Sequence, residues 1–361
     1  MLMSKSKLLA IGLFVLATVL TASATLAQDG QAVASTVTIP SSWSLTGIQH
    51  IFQGWNNCGP ATLTMGLTYF GGKNDQYPAA QWLKPNSEDK NVSPWQIVDY
   101  VNNQLGGSVK VLLRQGGTLD RLKQLISNNF VVIIEEGYDP PGKNLGWMGH
   151  YLLLSGYDDS TQEFTSQDSY EGPNVRVPYA TESQYWEHFN DLYLVLYNGS
   201  REAELMSLLG SDADERQNSY NALVQATSDA KANPQDAFAW FDIGTNYVAL
   251  GDYDRAAAAF DQARNIGLPW RMMWYQFGPF EAYYHMGRYQ DMIDLAQANL
   301  NDGGGQYVEE TFYYGGLARE GLGQNDRAMS NFDGALAFNP NFTPARAARD
   351  ALAAKMGSSG T

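Results

Sequence analysis

Three glycines, Gly251, Gly287 and Gly323, stand 36 residues apart in a chain of 361 residues. Each follows one segment of helical apolar periodicity and precedes another, the pattern of a helix ended by glycine, a tight turn and a second helix. Around Gly251 the unit carries Trp240, Ile243, Gly244 and Tyr247, then Ala256, Phe260, Ala263 and Pro269. The last unit repeats it with Phe312, Gly316, Ala328, Phe332, Ala335 and Pro340. The middle unit keeps Gly287 and Tyr289 but has Met292, Ala296 and Asn299 where the outer units have Ala, Phe and Ala, and it ends in Gly303-Gly304-Gly305. Small residues let paired helices approach, and aromatic residues fill the space between stacked pairs. One pair cannot bury its apolar face alone, so about three stacked units are the expected minimum. The pattern predicts an all-α solenoid over residues 237–354. A helical linker over 199–236 precedes it, with a helix over Ala213–Ala232 covering the first unit, and a disordered tail over 355–361 follows.

The outer units closely resemble the tetratricopeptide repeat. That resemblance implies a concave face able to bind a peptide or protein partner, although an array that only stabilises the rest of the chain fits the same pattern.

The N-terminus reads as an export signal over residues 1–27. Lys5 and Lys7 make a basic start, Leu8 to Leu20 an apolar run, and Thr25-Leu26-Ala27 a small-residue cleavage site, with Ala22-Ser23-Ala24 an equally legal one. A retained anchor is the alternative. No other stretch is apolar enough to span a membrane, so an extracellular or cell-envelope location is expected. Residues 28–47 are small and polar and read as a flexible lead-in. Loss of Lys5 and Lys7 takes the formal net charge from −15 to −17. That is a poor match for nucleic acid.

Between these ends, residues 48–198 mix helix and strand signals. Ser93-Pro94-Trp95-Gln96 is a capping box opening a helix, and Thr118 to Ser127 is amphipathic. Strand patterns fall at Val109–Leu113, Phe130–Ile134, Tyr151–Leu154, Glu163–Ser166 and Tyr193–Tyr197. Helices come first and strands cluster later, which fits an α+β fold.

The single cysteine, Cys58, rules out an intramolecular disulfide. It sits in Asn57-Cys58-Gly59-Pro60-Ala61, ahead of a helix with Leu63, Leu67 and Phe70 on one face. Proline pre-sets the first turn, and the helix N-terminus stabilises a thiolate over a thiol. A lone cysteine is often only a small buried hydrophobe. Here its setting points to a nucleophile, which needs an imidazole in reach, a group to orient that ring, and donors for an oxyanion. Of four histidines, His285 lies among the repeats, His50 on the loop approaching Cys58, and His188 on a short helix where an exposed side chain is expected. His150 follows Gly146-Trp147-Met148-Gly149 and opens a core strand, a rigid position at a sheet end. Its bland alternative is a strand-end residue bonded to a loop carbonyl. Asp168 ends the next strand, where a hairpin would bring it beside His150, unless it is only the aspartate of the turn before Ser169-Tyr170-Glu171-Gly172.

Residues 48–198 also resemble the bacteriocin-processing (double-glycine) peptidases and their stand-alone relatives, a branch of the papain-like cysteine peptidases. The resemblance rests on a glutamine shortly before Asn57-Cys58-Gly59-Pro60-Ala61, on Leu67-Thr68-Tyr69-Phe70-Gly71, on Gly149-His150 opening a strand that ends Gly156-Tyr157-Asp158, and on Asp168. It implies Cys58 as nucleophile, His150 as general base and acid, Asp168 as orienter, and Gln53 with the Cys58 backbone N–H as oxyanion hole. Gln53 stands five residues before the cysteine where the family commonly has six, and Asp168-Ser169 replaces an Asp-Pro. The expected fold is a papain-like domain, its nucleophile helix packed on an antiparallel sheet, followed by the solenoid. The expected function is an exported peptidase acting on a peptide or protein. An inactive peptidase-like binding module and a papain-like acyltransferase are the alternatives. One cysteine and four scattered histidines lack metal-ligand spacing, and neither a cofactor nor a nucleic-acid partner is expected.

Overall fold

The structure is a computed structural model that describes residues 39–139, 144 and 146–358. The export signal, lead-in residues 28–38 and the last three residues of the tail lie outside the described residues.

The sheet is antiparallel, with strand order β2 (Val109–Arg114), β7 (Tyr193–Asn198), β3 (Val131–Tyr138), β4 (Met148–Asp158), β5 (Glu163–Asp168) and β6 (Gly172–Pro178). A short β1 (Ser42–Ser44) pairs with the far end of β4. β3 is buried along its whole length, as its unbroken apolar start requires of a central strand. Against this sheet pack α1 (Cys58–Thr68) and α4 (Leu119–Ser127), whose N-terminus is capped by the Thr118 hydroxyl. Thr62 in α1 donates to the Tyr151 carbonyl at 3.1 Å, and a Cβ on Gly66 would lie 3.1 Å from Leu196. Small residues on α1 therefore set how closely this helix approaches β4 and β7. Shorter helices are α2 (Tyr77–Leu83), α3 (Pro94–Asp99, with the Ser93–Gln96 capping box) and α5 (Tyr179–Trp186).

Two strands escaped the sequence pattern. β6 contains Pro173 and Pro178, which only an edge strand accommodates. β1 lies in the expected lead-in, so the fold begins earlier than residue 48. Leu45 N–H donates to the Ser155 carbonyl at 2.7 Å, and Tyr157 donates its hydroxyl to the Pro40 carbonyl at 2.8 Å. Gly156 permits this approach, since a Cβ there would sit 2.7 Å from the Trp43 carbonyl oxygen.

The linker is helical, with α6 (Glu202–Leu209) and α7 (Glu215–Ala232), and it is tied to the sheet. Asn218 accepts from Gln115 N–H at 3.0 Å and donates to its carbonyl at 2.8 Å. Three helix pairs follow: α8 (Ala237–Leu250) with α9 (Tyr253–Ile266), α10 (Gly278–His285) with α11 (Tyr289–Asn301), and α12 (Glu309–Gly321) with α13 (Asn325–Phe338). Gly251, Gly287 and Gly323 have φ of 78°, 68° and 72°, the left-handed turn that their spacing implied. A final α14 (Thr343–Ser358) packs on α13. Residues 355–358 of the expected tail are thus helical, held by alanine-rich sequence and by the buried Leu352 one turn earlier.

The first helices of the outer pairs turn toward the sheet domain. Asn190 and Asn246 exchange two hydrogen bonds of 3.0 Å, Phe238 stacks on His188 at 3.7 Å, and Ser93 donates to Glu310 at 2.8 Å. Gln96 donates to Glu309 at 3.1 Å and Asn339 to the Leu83 carbonyl at 3.1 Å. Burial, reinforced by neighbouring acidic groups, pushes the Asp89 and Glu310 carboxyls well up at this interface. Among the described residues no helix is long and apolar enough to cross a membrane.

Candidate active site

Cys58 is the first residue of α1, half-buried, where unpaired first-turn N–H groups lie. Burial pushes its thiol up. The hydrogen bond and charge of His150, with the backbone N–H groups of Tyr151 and Gly59, outweigh that and leave the thiol below its ordinary value. His150 is the third residue of β4 and 4% exposed. Burial alone would lower its pKa, but Asp168 and Cys58 raise it well above the ordinary imidazole value. The two groups therefore favour the thiolate–imidazolium form and titrate as a pair.

His150 Nε2 lies 2.8 Å from Asp168 Oδ1, which leaves the other ring nitrogen for Cys58. The same carboxylate oxygen accepts the backbone N–H groups of Tyr170 at 2.7 Å and Glu171 at 3.1 Å. Asp168 is thus both the turn aspartate and the partner of His150. Burial would raise its pKa, but the His150 hydrogen bond and charge and those N–H groups hold it below the ordinary carboxylate value. His50 Nε2 lies 2.8 Å from the Asp168 carbonyl oxygen, which braces the hairpin from the approaching loop.

Gln53 shares the cleft with Cys58 and His150. Its backbone N–H donates to the Ser169 carbonyl at 2.8 Å, and Ser169 donates its hydroxyl to Gln53 Oε1 at 2.8 Å. Among the described residues its Nε2 has no hydrogen-bond partner, so a donor remains for an incoming oxygen. Gln76 pins the loop between them, accepting from Gly54 N–H at 2.9 Å and Asn57 Nδ2 at 3.0 Å and donating to the Phe52 carbonyl at 2.9 Å. The structure brings Cys58, His150, Asp168 and Gln53 together. His285 stacks on Tyr253 among the repeats. His188, expected exposed, accepts from Trp147 Nε1 at 3.0 Å and lies under Phe238, and burial lowers its pKa to about 4. The repeats cover the short helix that the sequence left open.

Three features had no sequence signal. Lys84 is buried, its ammonium 3.2 Å from the Ser87 carbonyl and 3.5 Å from Asn57 Oδ1. Burial lowers its pKa, while the charges of Asp89 and Cys58 oppose the loss of its proton. Glu136 pairs with His150 across β3 and β4, and burial pushes its carboxyl up to about 7. Burial, with the charge of Glu136 beside it, also pushes the Glu182 carboxyl well up. Finally, the cleft, of about 440 Å³, is walled by Trp55, Tyr138, Met148 and Tyr170 from the sheet domain and by Tyr275 from the repeats. Among the described residues, no group of three His, Cys, Asp or Glu side chains is placed to hold a metal ion.

Residues 45–194 match the family described as the Peptidase_C39 like family. No curated protein matches the chain. A solved structure titled "MamA RS-1 ArsTM double mutant" is similar at a TM-score of 0.35 and 17% identity, over 43% of this chain and 85% of that one. Residues 45–194 are thus similar to that family, and three helix pairs follow them in the chain.

Proposed function

We propose that the chain is an exported cysteine peptidase that hydrolyses peptide bonds through Cys58, His150 and Asp168. The observation that carries this reading is that Cys58 and His150 line one cleft and His150 Nε2 lies 2.8 Å from Asp168 Oδ1, with the thiol below and the imidazole above their ordinary values. The Cys58 thiolate attacks the scissile carbonyl carbon, forming the C–S bond, and the oxyanion takes hydrogen bonds from Gln53 Nε2 and the Cys58 backbone N–H. His150 gives its proton to the leaving amine as the C–N bond breaks. His150 then takes a proton from water, whose oxygen attacks the thioester, releasing the acid and restoring the thiolate. Asp168 holds the ring orientation throughout. The basic start and apolar run of residues 1–20 support export to the cell envelope or beyond.

The array's first-helix face, where a protein partner would dock, is partly taken by the sheet domain of the same chain. Its first task on this reading is intramolecular.

The test is digestion of an equimolar synthetic peptide library by the protein lacking residues 1–27, with products read by mass spectrometry. Cys58→Ala is expected to lower hydrolysis by about a thousandfold or more while leaving the thermal midpoint unchanged. Equal cleavage by the variant would contradict the proposal, and products carrying an added amine would point to acyl transfer.

A further inference from the structure

The middle repeat departs from its neighbours at the start of its first helix. By the 36-residue period α10 would begin near Met273, as α8 begins at Ala237 and α12 at Glu309. It begins instead at Gly278, with Pro279 in its first turn, after a single 3₁₀ turn over Met272–Trp274. The segment released from the helix carries Tyr275 into the sheet domain. Its ring packs on Gly149, where a Cβ would lie 2.8 Å from Tyr275 Cδ1, and stands edge-on to Trp147 at 5.8 Å. Tyr275 is 8% exposed, yet it walls the cleft that holds Cys58 and His150. Burial beside the Cys58 charge pushes the phenol up, so it keeps its proton and can donate it. A second residue of the array reaches the same rim. The Lys90 ammonium lies 5.2 Å from the Trp55 ring centre and 5.9 Å from that of Tyr307.

We propose that the repeats complete the active site, with Tyr275 contacting the leaving-group half of the substrate. The inference rests on the peptidase reading above. His150 must hand its proton to the leaving amine, so that half of the substrate lies beside His150. Tyr275 packs against Gly149, the neighbour of His150 in β4, and Met148 walls the cleft next to it. A phenol ring and a thioether favour a large apolar side chain. The substrate class is therefore a peptide with such a residue immediately after the cut, and Tyr275 selects it.

The library digestion tests this with two variants. The wild type is expected to cut before large apolar residues. Tyr275→Ala is expected to lower kcat/KM on those peptides about tenfold and to spread the preference after the cut, leaving the preference before it unchanged. Tyr275→Phe keeps the ring, so it retains the preference and loses about threefold in kcat with little change in KM. Iodoacetamide is expected to alkylate Cys58 at the wild-type rate in both. Unchanged rates and preferences in both variants would overturn the role of Tyr275 alone, as would a change confined to the residue before the cut. Loss of alkylation in parallel with activity would overturn it too, by making Tyr275 a support for the thiol. A wild type that alkylates fast but cleaves no peptide would remove the peptidase reading and this one with it.

Discussion

In the outer repeats a glycine faces a phenylalanine ring. A Cβ on Gly244 would lie 2.5 Å from Phe260, and one on Gly316 would lie 2.4 Å from Phe332. Around Cys58 the sheet domain instead buries Lys84, Glu136, His150, Asp168 and Glu182. Close-packed apolar surface stabilises a fold, whereas a buried ionisable group costs free energy unless it is paired. The glycine–phenylalanine pairs thus set the shape of the repeats, and the buried ionisable groups around Cys58 set the protonation of the cleft. The middle repeat lies between these cases. By the same period its two positions are Phe280 and Ala296, both buried, so the large and small residues are exchanged. Its first helix is shortened where Tyr275 enters the cleft. A lapse in regularity marks the place where the scaffold serves the site.

The exchange of sizes gives the sharpest way to break this comparison. Phe332→Ala is expected to cost about 3–5 kcal/mol, read from denaturant unfolding. Adding Gly316→Phe copies the Phe280–Ala296 arrangement and should restore at least half of the loss. No recovery would mean that the repeats tolerate only one order of sizes. Neither change should alter peptide preference.

The sheet domain should respond to pH through Glu136. Burial raises the folded pKa of Glu136 from an ordinary 4.5 to about 7. Between those values the folded state holds the proton that the unfolded state has lost, so this group's contribution to stability is full at low pH and falls as pH rises to about 7. Glu136→Gln should flatten the fall in midpoint across that window. A slope identical to the wild type would remove Glu136 as its source. The smallest effect is expected at the turns. Gly323→Ala places a side chain at a φ of 72° and should cost about 1 kcal/mol, without effect on hydrolysis.

What the sequence disclosed follows from how local each signal is. The repeat turns depend on single glycines at fixed spacing, and Cys58 on a helix start a few residues long. His150 and Asp168 were readable because they lie near the ends of adjacent strands of one hairpin. Lys84, Glu136 with Glu182, and Tyr275 were silent because each gains its meaning from a segment distant in the chain. β6 hid behind two prolines, and His188 looked exposed because its cover, Phe238, lies 50 residues onward in the first repeat. The one available hint of Tyr275 was the poor match of the middle repeat.

The central claim is a thiolate held by His150, and the rate of Cys58 alkylation against pH measures it directly. The wild type is expected to react with an apparent pKa well below the free-thiol value of about 8.5, and His150→Ala to lose that depression. Wild type and variant both titrating like a free thiol, or a folded protein whose Cys58 does not react, would contradict the account.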